Sequence, residues 1–430
     1  MRTSGGRGRR LGAAAAAACA LALAAGPARA ASEVVRGTIE GPRGPVEGVA
    51  VAVETAAGDP VGRAVTGPDG TWRVRLPRPG EYTATLDVAT LPDGLQLRIP
   101  DNDTLEFDVQ PGQDRTLLYP LVARGAAPDD AGPSAWERAA QLTADGIVFG
   151  AIVALSALGL SLIFGTTGFV NFAHGELVTV GAVVAFLFNA SGAGPRVHLV
   201  AAAAIAVAAG ALAGAALERG LWRPLRARRV GLFPLLVVSI GLSLLLRHVV
   251  LLLFGGRTRP FADYTLQTRL ELGPVALAPR DLFVAGGALV VLAAVGLALQ
   301  RTRLGKAIRA VSDDRDLAEC SGIDVRRVVM LVWVGAGAIA ALGGVFLGMV
   351  EQVGWSMGFN LLLPMFAGVI LGGLGTAFGV VAGSLVIGVV TQLSTLWFPT
   401  ELKFLWALVA LVAILLVRPQ GILGRAQRVG

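Results

Sequence analysis

The chain has 430 residues, of which 54% are hydrophobic and only 16% are charged, and its mean hydropathy is +0.66. A soluble domain is about one quarter charged, so this composition excludes a disordered or highly soluble chain. The net charge of +7 is unevenly spread: residues 1–30 carry five Arg and no acid, 31–140 ten Arg and seventeen acids, and 141–430 twenty-two basic residues and thirteen acids. A basic excess confined to the apolar part of a chain indicates membrane topology and not nucleic-acid binding. We predict an integral membrane protein with an acidic, water-soluble front domain and no nucleic-acid partner.

The first thirty residues have the three parts of a secretory signal peptide. Four Arg precede an apolar stretch from Leu11 to Ala25, and Ala28-Arg29-Ala30 forms an A-x-A cleavage site. An apolar stretch this short does not span a bilayer core of about 30 Å, so we predict general export with cleavage after Ala30. A twin-Arg signal at Arg9-Arg10 lacks a following Phe-Leu, and further apolar sequence after Cys19 disfavours lipid attachment there. Once the signal is removed, Cys320 is the only cysteine, so no internal disulfide is expected.

Residues 31–122 are predicted to form a small all-β sandwich. Their side chains alternate with the period of two that half-buried strands require, and turn sequences such as Pro68-Asp69-Gly70 separate the runs. Short strands at roughly ten-residue spacing are typical of a sandwich. The clearest predicted strands are Val49–Val53, Trp72–Leu76, Tyr82–Leu86 and Thr116–Tyr119.

Two runs of this front domain, GTIEGPRGPVEGVAVAVET (37–55) and TGPDGTWRVRLPRPGEYTATL (66–86), resemble the carboxypeptidase-regulatory-like family of prealbumin-type sandwiches. The resemblance implies a binding or spacer module without catalysis. Residues 123–140 are expected to be a linker, because ARGAAPDDAGPSA at 123–135 has linker composition.

Residues 141–430 change to long apolar runs separated by short polar stretches, which predicts an all-α polytopic membrane bundle. The seventh and eighth runs are short and Gly-rich, so one re-entrant hairpin could replace two helices there. We therefore expect eight or nine transmembrane helices. The nine candidate spans are 143–164, 174–190, 198–217, 232–253, 282–299, 328–350, 361–374, 377–395 and 402–417.

The distribution of basic residues between the spans predicts their orientation. With the sandwich outside, the segments 165–173, 218–231, 300–327 and 418–430 are cytoplasmic, and together they carry fifteen Lys and Arg. The four outer loops carry five. This asymmetry agrees with the positive-inside rule. Arg247 and Glu351, near span ends, are interpreted as snorkelling or interfacial charges.

No catalytic constellation is present in the sequence. The three His are far apart, and no carboxylate pair has the spacing of metal ligands. The only Gly-Lys pair, Gly305-Lys306, lacks the upstream Gly and the following Ser or Thr of a phosphate-binding P-loop. We therefore expect a chain that is not an enzyme and holds no cofactor or metal.

Small residues recur at four-residue spacing in the later spans. On a helix this spacing forms a smooth groove that lets neighbouring backbones approach closely inside lipid. Tight packing is the ordinary interpretation, and a sliding or gating face is the alternative. The small residues are Ala340, Gly344 and Gly348, then Gly368 and Gly372, then Gly375, Gly379 and Gly383.

The predicted cytoplasmic segment 301–327, RTRLGKAIRAVSDDRDLAECSGIDVRR, is unusually long and charge-dense for a membrane connector. Ser312-Asp313-Asp314 offers a helix N-cap. The segment is either two short helices along the lipid surface or a docking element for a cytoplasmic partner. Its apolar residues can form a narrow stripe of Ala307, Ile308, Val311, Leu317, Ala318 and Ile323.

Five motifs in order resemble the permease subunits of bacterial branched-chain amino-acid ABC importers over about 285 residues from Gly146. They are GLSLIFGTTGFVNFAHGELVTVGA (159–182), ERGLWRPLRARR (218–229), LGKAIRAVSDDRDLAECSGID (304–324), GVILGGLGTAFGVVAGSLVIG (368–388) and RPQGILGR (418–425).

That resemblance implies an importer of hydrophobic amino acids, completed by a second permease, two cytoplasmic ATPases and an extracytoplasmic binding protein. Residues 304–324 match the loop that sits in a cleft of the ATPase, which implies a coupling role within 301–327. The front domain departs from the ordinary amino-acid subunit, and urea-type relatives also carry an amino-terminal extension, so a urea or short-amide importer is the alternative. The residues of the loop expected to carry coupling are Gly305, Ala307, Asp313, Asp314, Glu319 and Gly322.

Gly165 to Glu176 is the candidate translocation path, because it places Gly, Thr, Asn, His and Glu beside long apolar runs. Non-helical backbone at such a depth is tolerated only against protein or a water-filled path. We expect Asn171, His174 and Glu176 to line the path, with helix capping by Asn171 or a simple tight turn as alternatives. A stand-alone secondary transporter would need coupling carboxylates inside the spans, of which there are hardly any, and a membrane-anchored sensor would need a larger cytoplasmic output domain.

Overall fold

The computed structural model of the protein describes residues 33–42, 44–97, 103–109, 115–124, 134–190, 196–264, 269–373 and 375–417. The predicted signal peptide, most of the predicted linker and the RPQGILGR motif lie outside the described residues. The chain divides into two compact units, Met1–Gly132 with Leu251–Thr258 and Pro133–Val250 with Arg259–Gly430. The first is built mainly of strands and the second mainly of helices.

Nine strands form two sheets among the described residues of the first unit. One sheet has the order β2-β1-β9-β7, with β5 also paired to β1, and the second has the order β4-β3-β6-β8. Neighbouring strands are antiparallel except β1 and β9, which are parallel. The strands are β1 Val34–Gly41, β2 Gly44–Pro45, β3 Ala50–Thr55, β4 Pro60–Val65, β5 Thr71–Arg75, β6 Gly80–Leu86, β7 Leu95–Leu97, β8 Thr104–Val109 and β9 Arg115–Ala123.

The two sheets share one apolar core, as the alternating pattern predicts. Buried and exposed residues alternate along β5 and β6, and Trp72 packs over Gly37 on the neighbouring strand. The hydroxyl of Tyr119 on β9 donates to the backbone oxygen of Ala84 on β6 at 2.7 Å, which ties one sheet to the other. Burial raises the pKa of the Tyr119 hydroxyl. The predicted β-sandwich is therefore the observed architecture of this unit.

The second unit contains twelve helices among its described residues. A two-stranded hairpin, β10 Leu270–Leu272 and β11 Val275–Leu277, lies between the fifth and sixth. The helices are α1 Ala135–Thr167, α2 His174–Asn189, α3 Leu199–Leu217, α4 Arg223–Ala227, α5 Leu232–Phe254, α6 Pro279–Arg301, α7 Arg303–Asp313, α8 Arg315–Cys320, α9 Val325–Val350, α10 Met357–Gly372, α11 Ala377–Leu393 and α12 Lys403–Val417. A π-helical turn, Glu218–Trp222, joins α3 to α4.

All nine predicted spans are helical, but they are not equally long. Among the described residues, six helices are long and apolar enough to cross a bilayer: α1, α3 with its continuation to Ala227, α5, α6, α9 and α11 with its extension to Leu396. The helices α2, α10 and α12 are apolar but shorter. Each is below the roughly 20 residues that a perpendicular span needs. The seventh and eighth predicted spans are two separate helices, α10 and α11, joined by a short turn.

Helix α1 lies at the centre of the bundle. It opens with a capping box at Ser134, whose side chain and backbone exchange hydrogen bonds with Glu137. Four-fifths of its most apolar stretch is buried. A Cβ on Gly159 would lie 3.0 Å from the backbone oxygen of Ala336, and one on Gly343 would strike Ser156. The earlier residue of α1, Ser156, therefore meets the later residue of α9, Gly343, so the two helices are antiparallel and end at opposite ends of the bundle.

The stripes of small residues are packing surfaces. A Cβ on Gly344 would collide with the backbone of Val178 in α2, and Gly372 and Gly379 touch where α10 meets α11. Gly375 is different: it has a φ of 80° and open space around it. It therefore belongs to the turn between α10 and α11 and not to the stripe, because a left-handed backbone favours glycine.

Three of the four segments predicted to be cytoplasmic, 165–173, 218–231 and 300–327, contribute to one apolar cluster that contains Phe169, Trp222, Ile308 and Val325. The fourth, 418–430, lies outside the described residues. The segments predicted to be outside meet at the other end, where Asn189 donates to Asp263. This arrangement agrees with the alternation of helix directions that the spans require.

Candidate functional site

The backbone between α1 and α2 turns back into the bundle. Gly168 ends α1 in the left-handed conformation, with φ of 74°. Nε2 of His174 then donates to the backbone oxygen of Ser156 at 3.0 Å. Ser156 lies eleven residues before the end of α1, a rise of about 17 Å. The segment 168–173 therefore runs back along α1 toward its middle, and α2 begins in the interior of the bundle.

This observation corrects the prediction of a cytoplasmic connector over 165–173. Residues 165–167 are the last turn of α1, and Phe169 and Asn171 are buried. A non-helical backbone is stable here because most of it lies against protein and finds hydrogen-bond partners there. The backbone N–H of Phe172, for example, donates to Ser239 Oγ on α5 at 3.1 Å.

A second non-helical segment enters the bundle from the opposite end. The residues after α9 pair with the loop before β10 through Val353 and Arg259, whose backbones exchange two hydrogen bonds of 2.9 Å. The helix α10 then begins at Met357, and its Gly358 contacts Gly175 directly, with backbone against backbone. The N-termini of α2 and α10 therefore meet inside the bundle. Both present the positive end of the helix dipole to the same place.

Buried polar side chains surround this meeting point. Glu176 is fully buried, and its Oε1 accepts a hydrogen bond from Ser243 Oγ on α5 at 2.9 Å. Thr179 Oγ1 accepts the backbone N–H of Gly358 at 3.1 Å. Asn171 Oδ1 accepts the backbone N–H of Ala173 at 3.1 Å, so Asn171 stabilises the turn before α2 and does not occupy the N-cap position, which Ala173 holds.

Three atoms of the predicted path residues have no hydrogen-bond partner among the described residues: Nδ2 of Asn171, Nδ1 of His174 and Oε2 of Glu176. Because a carbonyl oxygen only accepts, Nε2 of His174 carries the proton, and Nδ1 is an acceptor. Each buried polar atom left without a partner costs about 1–3 kcal/mol. The site therefore offers one free donor and two free acceptors.

The predicted coupling segment forms two helices, α7 and α8. The side chain of Asp314 caps α8 by accepting the backbone N–H of Leu317 at 2.9 Å, as the Ser312-Asp313-Asp314 signal predicts. Ile308 and Val311 face the bundle. Leu317, which we placed on the same apolar stripe, is 65% exposed, because α8 begins a new helix after Asp314 and its phase differs from that of α7.

The six residues assigned to coupling divide into two groups. Gly305 packs against the backbone at the end of α6, and Ala307 is partly buried on the apolar cluster. Asp313, Asp314 and Glu319 are exposed, and Gly322 turns the chain with φ of 83°. The first group holds the segment on the bundle, and the second group is exposed.

A cavity of about 620 Å³ lies between α1, α7 and the start of α11. Its polar lining includes Ser161, Arg309, Asp313 and Thr376. Gly165 also lines this cavity, and a Cβ on Gly165 would lie 2.8 Å from Ser312 Oγ. Among the described residues, no group of three His, Cys, Asp or Glu could hold a metal ion.

Sequence reasoning missed Gly358, Thr179 and Ser243, which complete the polar centre. The lengths of the predicted spans indicated this centre. Two spans, 174–190 and 361–374, are the shortest of the first eight, and both begin near the meeting point of α2 and α10. Unusually short apolar segments in a transporter indicate broken helices. The interpretation of Arg247 as a snorkelling charge is also incomplete, because its Nε is buried and its guanidinium lies 4.2 Å from the ring centre of Phe359.

The comparisons with known proteins agree with this architecture. The family described as "Branched-chain amino acid transport system / permease component" matches residues 142–417. The high-affinity branched-chain amino acid transport system permease protein LivH of Salmonella typhimurium is 31% identical over 66% of this chain and 94% of its own length. BraD of Pseudomonas aeruginosa is 30% identical over 67% of this chain and 96% of its own.

More distant relatives match the same part of the chain. A probable branched-chain amino acid transport permease LivH of Methanocaldococcus jannaschii is 28% identical over 65% of this chain and 90% of its own length. Members of this family are transport components and not enzymes, and the apolar helices make this chain a multi-pass membrane protein. The chain belongs to the family of branched-chain amino acid transport system permease components.

Proposed function

We propose that this chain is the permease subunit of an ABC importer for branched-chain or other hydrophobic amino acids. The observation that carries the proposal is the buried meeting point of α2 and α10. Two helix N-termini meet there, and Asn171, His174 and Glu176, each with an unpartnered buried atom, lie within four residues of Gly175 in a family of amino-acid permeases. An amino acid is zwitterionic, so its passage requires partners for a carboxylate and for an ammonium group. Helix N-termini and Asn171 suit the carboxylate, and Glu176 suits the ammonium.

Energy for transport enters, in this proposal, through α7 and α8. Asp313, Asp314 and Glu319 are exposed, while Ile308 and Val311 are buried in the apolar cluster of the bundle. A rigid two-helix element of this kind transmits a rigid-body movement. The partners are two cytoplasmic ATPases, a second permease subunit and an extracytoplasmic binding protein, as the family of transport-system components suggests.

The proposed topology has nine crossings, with the sandwich outside the cell and α7 and α8 in the cytoplasm. The short helices α2 and α10 each cross together with the non-helical segment that precedes them, 168–173 and 351–356. This explains how helices of 16 residues belong to a bundle whose bilayer core is about 30 Å thick. The basic residues of the predicted inner segments support the same orientation.

The test is uptake by the complete transporter in proteoliposomes. With ATP and binding protein, labelled leucine is expected to accumulate, while labelled urea is not. Asn171→Leu and Glu176→Gln are expected to reduce leucine uptake at least about ten-fold, because each removes a charge-assisted contact worth roughly 1.5–3 kcal/mol. Glu351→Gln is the matched control, since Glu351 is 48% exposed and pairs only with Lys403 at 3.8 Å.

Wild-type uptake of leucine by both path variants would contradict the assignment of the path. Uptake of urea without leucine would replace the proposed substrate by a short amide.

A further inference from the structure

Arg247 is an unusual charged residue of the helical unit. It lies on α5, seven residues before the helix ends, where a cation is costly unless it is paired or faces a polar path. Its guanidinium forms no hydrogen bond or ion pair with any described residue, and its Nε is buried. Its contacts are the faces of two aromatic rings, Phe359 at 4.2 Å and Trp355 at 5.7 Å.

Glu176 is the acidic group that this cation faces. Ser243, which donates to Oε1 of Glu176, lies one helical turn before Arg247 on α5. Arg247 acts electrostatically on the Glu176 carboxylate, but the two side chains do not come within the 4.0 Å of an ion pair. Oε2 of Glu176 is left without a partner. The side chains of Arg247 and Glu176 are therefore close enough to interact electrostatically but too far apart to form an ion pair.

We propose that Arg247 and Glu176 are the two ends of a binding site for a zwitterionic α-amino acid. The ligand's carboxylate binds the guanidinium of Arg247, and its ammonium group binds Oε2 of Glu176. This inference rests on the proposed function and adds Arg247 to the carboxylate partners named there. Arginine suits this role because its planar fork binds a carboxylate through two hydrogen bonds while its face stacks on aromatic rings.

The position of the aromatic rings supports an accessible site. Phe359 is 41% exposed, so the arginine end of the site opens to the outside of this subunit, while Glu176 is fully buried. In this proposal the ligand enters from the arginine end, and Glu176 lies at the inner end of the site. A neutral amide such as urea has neither the carboxylate that would bind Arg247 nor the ammonium group that would bind Glu176.

Equilibrium binding to the assembled permease–ATPase complex in nanodiscs, without binding protein, tests the inference. Labelled leucine is displaced by unlabelled leucine, by leucinamide, which lacks the carboxylate, or by 4-methylpentanoate, which lacks the ammonium group. In the wild type both analogues are expected to compete at least about ten-fold more weakly than leucine. Arg247→Gln is expected to abolish the difference between leucine and leucinamide, and Glu176→Gln the difference between leucine and 4-methylpentanoate.

Two further variants separate recognition from folding. Arg247→Lys keeps the charge but not the fork, so it is expected to retain part of the preference for leucine over leucinamide. Leu245→Ala is the control, because Leu245 is 61% exposed on α5, and it is expected to bind as the wild type does.

An undiminished preference for leucine over leucinamide in Arg247→Gln would overturn the inference, as would an absence of leucine binding to the wild type. If leucine is still imported in either case, the proposed function stands and only this site is wrong.

Discussion

Phe169 packs against Trp222, with ring centroids 4.8 Å apart. Both rings belong to the apolar cluster that also contains Ile308 and Val311 of α7. Phe169 lies two residues before Asn171, in the segment that leads to the buried polar centre. Because a packed core moves as discrete units and is not continuously deformable, this cluster connects the proposed ATPase contact to the proposed path.

The variant Phe169→Ala tests this connection. Removing a buried Phe costs about 3–5 kcal/mol of stability, and the cavity that remains uncouples movement of α7 from segment 168–173. We expect fewer leucine molecules imported per ATP hydrolysed in proteoliposomes. Phe283→Ala is the matched control, because Phe283 is 57% exposed. An unchanged ratio of leucine to ATP in the folded Phe169→Ala transporter would exclude this route.

Alanine substitutions at Gly344 and Gly335 on α9 are expected to have opposite effects on stability. A Cβ on Gly344 collides with the backbone of Val178, whereas nothing lies within 4 Å of a Cβ on Gly335. Gly344→Ala should therefore separate α2 from α9 and lower the melting temperature of the detergent-solubilised protein. Gly335→Ala should leave it unchanged or raise it, because alanine is favoured over glycine in a helix by up to about 1 kcal/mol. Equal melting temperatures for the two variants would contradict the close packing of α2 on α9.

Cys320 at the end of α8 is exposed and reports the orientation of the coupling segment. In intact cells an impermeant maleimide is expected not to label Cys320, while Glu106→Cys in a Cys320→Ser chain should be labelled, because Glu106 is exposed on the sandwich. In the purified protein, added partner ATPases should slow alkylation of Cys320 severalfold. Labelling of Cys320 in intact cells would reverse the proposed topology.

The sandwich is expected to lose stability at alkaline pH. Because burial raises the pKa of the Tyr119 hydroxyl above its ordinary value of 10.0, the unfolded state releases this proton first. The contribution is present below about pH 10 and is lost as the pH rises above it. Proteolysis of the full-length protein in a pH series measures this loss, and Tyr119→Phe should remove the dependence. The variant should also be less stable at pH 7 by about 1–3 kcal/mol, since the oxygen of Ala84 loses its donor. The same alkaline loss in Tyr119→Phe would assign it to another group.

The order of helices and strands is largely readable from the sequence, because it depends on local patterns. The period of two over Tyr82–Leu86 requires a strand with one buried face, and it lies in β6. The apolar run 232–253 requires a helix, and α5 spans Leu232–Phe254. Asp314 was recognisable as a cap because capping depends on residues only three positions apart.

The sequence by itself determined that Asn171, His174 and Glu176 occupy an unusual polar segment beside apolar spans. Only the tertiary structure decided that this segment turns back along α1 and meets Gly358, which lies more than 180 residues away in the chain. No local pattern encodes that contact, because it depends on two glycines whose missing side chains allow two backbones to touch. The same holds for Arg247: its charge is visible in the sequence, but the separation that prevents an ion pair with Glu176 is a property of how α2, α5 and α10 pack together.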